Sequence, residues 1–359
     1  MDLLAEGLAE KLFAGAVLRI ERRGQVLFEG AVGHALADGE MRIPMKVDSI
    51  FDIASLTKLF TATAILRLVS SGACSLDSRV FELLEASAIS AGIDVETRDR
   101  LRDSLGDAEL ASLLAHSSGL HHWYPFYCHR GQSFESVLAL VMELHPRREG
   151  VVYSDLNFML LGRIVEAVAV KSLALAMAEL VFEPLGLTRT SFARPRGEAV
   201  ATEAGNRIEE SMVAALGLSF DGWRERGLPI LGEPNDGNCH YFFKGTAGHA
   251  GVFSDARDLC RLGRFWLDGG VFQAPGAGLA AKALSDHGGG RGLGFQTGEN
   301  YPGGGCGHTG FTGSYLHINP PTGLTIVLLT NRLHVAEPRD INPFRKRISE
   351  CALAIFPRP

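Results

Sequence analysis

Residues 51–58 read Phe51-Asp52-Ile53-Ala54-Ser55-Leu56-Thr57-Lys58 and open an apolar run with no Gly or Pro before position 72. Serine is favoured at helix starts, so the run predicts a helix over 55–71. On it Lys58 lies three residues from Ser55 and shares its face. A capping serine would explain Ser55 alone. It does not explain a lysine among Leu59, Phe60, Ala62, Ala64, Ile65 and Leu66. Desolvation there disfavours the ammonium and lowers its pKa, as a general base requires. The helix start adds a backbone N–H and a positive dipole end for a developing oxyanion.

Two further stretches complete a reaction. Tyr153-Ser154-Asp155 precedes a strong helical pattern over 157–181. A phenol at that junction can take the Ser55 proton and pass it to a leaving group, provided positive charge nearby lowers its pKa. His308-Thr309-Gly310 leads into a strand. Gly310 lets a substrate backbone approach closely. The N–H of Phe311 can pair with that of Ser55 as an oxyanion hole.

The rest of the chain places these stretches. Residues 2–13 read as a short amphipathic helix. Ala16–Ile20 and Val26–Val32 read as a hairpin turning at Gly24. Helical periodicity marks 108–116, 134–144, 157–181 and 255–268, with loops over 119–132 and a polar tract over 195–238. Strand character returns at 293–297, 312–318 and 324–330, and a closing helix covers 341–355. Strands at both ends with helices between predict an α/β (α+β) fold. One antiparallel sheet is built from the N- and C-terminal segments, flanked by helices, around an inserted all-helical domain. The expected division is a discontinuous sandwich domain (1–70 with 280–359) and a helical insert (71–279).

With those motifs in place, the chain resembles the serine β-lactamase-like superfamily of penicillin-binding proteins, class C β-lactamases, related esterases and D-aminopeptidases. FAGAVLRIERRGQVLFEGAVG, LLAHSSGL, VVYSDLNFMLLGRIVE, FEPLGLTRTSF, GTAGHAGVFSDARDL, RGLGF and GHTGFTGSYLHINPPTGLTIVLLTNR carry the likeness along nearly the whole chain. It implies Ser55 as acylated nucleophile, Lys58 as base partner and Tyr153 as proton shuttle. Asp155 takes the third position of a Tyr-x-Asn motif, and His308, Thr309 and Gly310 face substrate. The implied activity is an acyl-enzyme hydrolase of esters or amides, an esterase or D-amino-acid peptidase. A class C-like β-lactamase and a non-catalytic penicillin-binding or sensor protein are the alternatives.

Two positions depart from that pattern. Asp155 stands where asparagine is usual, and its carboxylate would raise the Lys58 pKa and shift base duty to Tyr153. His308 stands where β-lactamases often carry lysine, so a permanent cation for a substrate carboxylate is missing there.

Composition narrows the rest. Of 359 residues 46% are hydrophobic and 21% charged, with a net charge of −6. No basic block offers itself to phosphates, which argues against nucleic acid as a partner. No apolar stretch has membrane-span length, and the first residues lack a signal-peptide pattern, so a cytoplasmic protein is expected. The six cysteines lie far apart without Cys-x-x-Cys and read as free thiols. His-Glu-x-x-His is absent, so neither metal nor other cofactor is expected. Gly-x-Ser-x-Gly is absent too. The expected partner is a small-molecule or short-peptide substrate. His249 in GTAGHAG reads as a buried structural histidine, and the aromatic run 122–127 as either pocket wall or packed loop.

Overall fold

The computed structural model describes residues 1–85, 93–192, 199–270 and 278–358. Positions 195–198 of the polar tract lie outside them. The strands are β1 Gly15–Arg22, β2 Gln25–Asp38, β3 Met41–Pro44, β4 Phe51–Asp52, β5 Phe253–Ser254, β6 Cys306–Thr309, β7 Tyr315–Asn319 and β8 Leu324–Thr330. The α-helices are α1 Asp2–Ala9, α2 Thr57–Ser70, α3 Val80–Glu85, α4 Val95–Leu105, α5 Leu110–Leu114, α6 Phe134–Leu144, α7 Asp155–Ala169, α8 Leu173–Met177, α9 Arg207–Ala215, α10 Ala256–Leu267, α11 Leu279–Leu284 and α12 Asn342–Ile355.

One antiparallel sheet runs β3-β2-β1-β8-β7-β6. Its two halves come from opposite ends of the chain and meet where β1 pairs with β8, from Ala16↔Thr330 to Arg22↔Leu324. Arg23 and Gly24 both take positive φ, 44° and 91°, which suits the two-residue turn joining β1 to β2. β8 is buried at every position because both faces of the sheet are covered. Leu324, Ile326 and Leu328 pack with Leu4, Phe344 and Ile348 of α1 and α12. Val327 and Leu329 face the main core, which includes α2 and α10 residues such as Phe60, Leu262 and Trp266. That two-sided burial explains why β8 carries the unbroken apolar stretch 326–329 rather than strict alternation.

Several elements differ from expectation. The 157–181 helix is broken. α7 stops at Ala169, and Val170 takes φ 52°, costly for a β-branched residue. The Glu166 side chain turns back to accept the Leu173 N–H at 3.0 Å, which starts α8. Residues 293–297 form only isolated bridges through Gln296, to Arg291 and to Gly307. The expected 312–318 strand begins at Tyr315, after a turn over Gly310–Ser314, and β6 ends on the His-Thr-Gly stretch. Ser55 belongs to a 3-10 turn over Ala54–Leu56, and α2 proper starts at Thr57. Among the described residues no helix is long and apolar enough to cross a membrane.

The site sits where α2, the start of α7 and residues 246–252 converge. A Cβ on Gly248 would lie 2.1 Å from the Phe158 carbonyl and 2.8 Å from Gly162 Cα, so backbone touches backbone there. The Gly248 carbonyl in turn accepts from Thr61 Oγ1 of α2 at 2.7 Å. Gly248→Ala is expected to lower the urea midpoint at unchanged m, at a cost of about 1–3 kcal/mol. An unaltered midpoint would show that this contact yields.

Candidate active site

The segment before Ser55 is held on two sides. β4 pairs with β5, and the Ile53 N–H donates to the Val252 carbonyl at 3.1 Å. Ala54 is a non-glycine residue at φ 46°. Buried Asp52 accepts its N–H at 2.9 Å and the Asn235 N–H at 2.7 Å. Burial pushes the Asp52 carboxyl up to about 6, against both of those N–H donors. From the other side, Thr312 Oγ1 donates to the Asp52 carbonyl and Ser314 Oγ to the Ile53 carbonyl, each at 2.8 Å. Gly310 lies so near that a Cβ would sit 2.0 Å from Ser314 Oγ and 2.6 Å from the Ile53 carbonyl. Glycine is required here by close approach within the protein.

Two side chains converge on Ser55. Lys58 Nζ donates to Ser55 Oγ at 2.8 Å, and Tyr153 Oη donates to it at 2.9 Å. Lys58 Nζ also reaches Asp155 Oδ1 at 2.7 Å and the His249 carbonyl at 3.2 Å. Lys58 is wholly buried. Burial pulls its pKa down, but Asp155 and then Tyr153 pull it up and together prevail. The lysine therefore rests as an ammonium, which reverses the expectation drawn from desolvation alone. Tyr153 is also raised: burial outweighs the lowering by Lys58. The expected lowered phenol pKa is likewise reversed.

Further groups shape the Tyr153 surroundings. The His116 ring packs on Tyr153 at 4.7 Å between centroids, and His116 Nδ1 accepts the Ser154 N–H at 3.1 Å. The Arg291 guanidinium lies 5.0 Å from the centre of the Tyr153 ring. Neither residue was assigned a role from sequence. The His-Ser-Ser-Gly stretch at 116–119 offered the one signal for His116. His308, expected to face substrate, is 1% exposed and packs on Tyr153, with ring centroids 5.9 Å apart. Its Nδ1 lies 2.7 Å from the Thr309 carbonyl, and burial, then Lys58, holds the imidazole neutral. Thr309 Oγ1 contacts Gln296 at 3.4 Å.

Ser55 opens into a cavity of about 170 Å³ that Tyr153, Asp155 and Phe311 also line. His308, Thr309 and Gly310 do not line it. Trp123 and Met212 supply an apolar wall, so the aromatic run divides: Trp123 faces the cavity, while Phe126 is in the core. Glu203, Glu209 and Asp236 form another wall. Burial, then Asp236, pushes the Glu209 carboxyl well above its usual range. Asp236 Oδ1 meets His249 Nε2 at 2.9 Å. His249 is 1% exposed and reaches the site through its carbonyl. Among the described residues, no three His, Cys, Asp or Glu side chains are grouped to hold a metal.

The Beta-lactamase family profile matches residues 2–349, and the chain belongs to that family. It is a serine hydrolase. N-acetylmuramyl-L-alanine amidase of Bacillus subtilis (strain 168) is 29% identical over 370 aligned positions, covering 92% of this chain and 80% of the relative. A candidate D-alanyl-D-alanine carboxypeptidase of Escherichia coli (strain K12) is 29% identical over 362, covering 90% and 80%. The crystal structure of a class C β-lactamase from Rhodobacter sphaeroides superposes with a TM-score of 0.70 at 19% identity, over 99% of this chain and 98% of that one. That likeness establishes the shared fold.

Asp155 raises both Lys58 and Tyr153, so Asp155→Asn lowers both pKa values. More of the basic form is then present at a given pH. The pH profile for labelling of Ser55 by a fluorophosphonate is expected to move acidward. An unchanged midpoint would remove Asp155 from the control of this proton.

Proposed function

We propose that the protein hydrolyses an ester or amide through an acyl-enzyme on Ser55. The observation that carries this reading is the pair of donors, Lys58 Nζ and Tyr153 Oη, both on Ser55 Oγ at the edge of an open cavity. In the resting cluster the ammonium and the carboxylate of Asp155 balance, and Tyr153 holds its proton. Loss of that proton gives a phenolate stabilised by Lys58. The phenolate takes the Ser55 proton as Oγ attacks the substrate carbonyl. The N–H groups of Ser55 and Phe311 receive the oxyanion; neither donates to another acceptor among the described residues. Tyr153 Oη then protonates the leaving group, and the same phenolate activates the water that frees the acyl group. Because Tyr153 is raised, acylation quickens as pH rises through its pKa.

The substrate class we favour is an amide in a small peptidoglycan-type or D-amino-acid peptide. Two relatives named as an amidase and a carboxypeptidase support it. A neutral, buried His308 weighs against a β-lactamase that grips a carboxylate from that position. Asp155 acts through Lys58 in this scheme, and Thr309 and Gly310 shape the edge of the site. We also propose the division into a sheet domain, 1–70 with 280–359, and a helical insert, 71–279; α10, within the insert by sequence, packs on the sheet. A Cβ on Gly263 of α10 would sit 2.4 Å from Thr325 of β8.

Fluorophosphonate treatment followed by peptide mapping tests the nucleophile. A stoichiometric adduct on Ser55 is expected, with labelling slowed about 10²–10⁴-fold in Lys58→Ala. A folded chain that takes no label at Ser55 would refute the reading. Turnover of N-acylmuramyl peptides, D-alanyl peptides, p-nitrophenyl esters and a cephalosporin, compared side by side, then ranks the substrate classes.

A further inference from the structure

The peptide unit between Gly310 and Phe311 faces two environments. Its N–H belongs to Phe311, which lines the cavity with Ser55. Its carbonyl belongs to Gly310 and accepts a 2.8 Å hydrogen bond from Nη2 of Arg345, on α12. The same nitrogen donates to the Ser314 carbonyl at 2.9 Å, and Nη1 donates to Asn342 Oδ1 at 2.8 Å. The Ser314 carbonyl also accepts the Gly310 N–H at 2.7 Å, so Arg345 grips both ends of one turn. Thr312 and Ser314, inside that turn, are bonded to the backbone immediately before Ser55.

Arg345 is 5% exposed, and the three oxygens that accept from it are neutral. Asp340 acts on it only through space, and a buried cation with no hydrogen-bonded carboxylate is expensive. Packing alone would be served as well by an apolar side chain. Burial brings the guanidinium pKa down only to about 10, so the charge persists at neutral pH. A cation bonded to a peptide carbonyl draws electron density through the amide and strengthens the N–H at its other end. A fixed dipole aimed at the developing oxyanion is worth most where water is excluded.

We propose that Arg345 is a positioning residue that clamps the 310–314 turn and polarises the Gly310–Phe311 peptide towards the oxyanion at Ser55. This rests on Ser55 being the acylated nucleophile. It gives the C-terminal helix, which touches none of the reacting atoms, a direct electrostatic route to the transition state.

The test compares wild type, Arg345→Lys and Arg345→Met. One readout is the acylation rate with a short-chain p-nitrophenyl ester. The other is the infrared carbonyl stretch of the acyl-enzyme, isotope-edited with ¹³C. In the Met variant acylation is expected to slow on the order of tenfold, part of the loss seen when a whole oxyanion donor is removed, with KM nearly constant. The acyl carbonyl band is expected to move to higher frequency, since a weaker donor polarises it less. The Lys variant, which keeps the charge, should fall between. A purely structural role predicts lower stability with an unmoved band, and that result in a folded variant overturns the proposal. So does a loss carried by KM alone. If Arg345→Met does not fold, the same two readouts on Arg345→Lys decide. A wild-type chain with no acyl group on Ser55 overturns the nucleophile reading itself, an outcome distinct from an unmoved band.

Discussion

A fully buried ammonium organises this protein. Lys58 has no exposed surface, so its charge must be met entirely by protein groups. Asp155, the Ser55 hydroxyl and the His249 carbonyl meet it, and they arrive from three separate segments of the chain. Removing one partner of such a buried pair leaves an uncompensated charge, at a cost of about 3–5 kcal/mol. The start of α7, the 3-10 turn at Ser55 and the 246–252 segment are therefore held in one mutual geometry. The requirement that stabilises the arrangement also places the hydroxyl, the phenol and the ammonium within hydrogen-bond range of one another.

The same economy of contact ties Ser55 to the sheet. Ala54 accepts an uncommon left-handed conformation because the buried Asp52 carboxylate takes its N–H. The turn that follows β6 is stitched to Asp52 and Ile53 by two hydroxyls. The two backbone N–H groups that would receive an oxyanion thus belong to one bonded unit rather than to two independent loops. Arg345 reaches that unit from behind through α12. Preorganisation of this kind does its work before substrate arrives, because the dipoles need not turn during the reaction.

Much of this was legible along the chain. Ser55 and Lys58 announce themselves by an ammonium set in an apolar helix, and Tyr153 by its place before a strong helical pattern. The end-to-end sheet followed from strands at both termini. Other features depend on competition between terms that sequence does not weigh. Lys58 and Tyr153 each feel burial pulling one way and a neighbour pulling the other, and only distances decide the winner. The break after α7 turned on a Glu166 side chain capping the next helix, a contact invisible to periodicity. His308 looked like a substrate contact from its position beside Thr309. The ring is nevertheless buried against Tyr153, with its Nδ1 beside the Thr309 carbonyl, a packing that position alone does not reveal. His116 and Arg291 lie in the stretches LLAHSSGL and RGLGF, but no fixed spacing ties either to Tyr153, so their packing on its ring was not legible.

The sequence by itself determined the chemistry available: a serine hydroxyl, an amine, a phenol and a glycine-bearing strand, in the order a serine hydrolase of the Beta-lactamase family uses. The sheet was legible too, because two-sided burial writes the apolar stretch Ile326-Val327-Leu328-Leu329 into β8. Only the tertiary structure decided the protonation of the cluster, the burial of His308 and the grip of Arg345 on the 310–314 turn. Those outcomes depend on Coulomb energies and desolvation at separations of about 3 Å between residues far apart in the chain. Such energies exist only once the fold has brought the partners together.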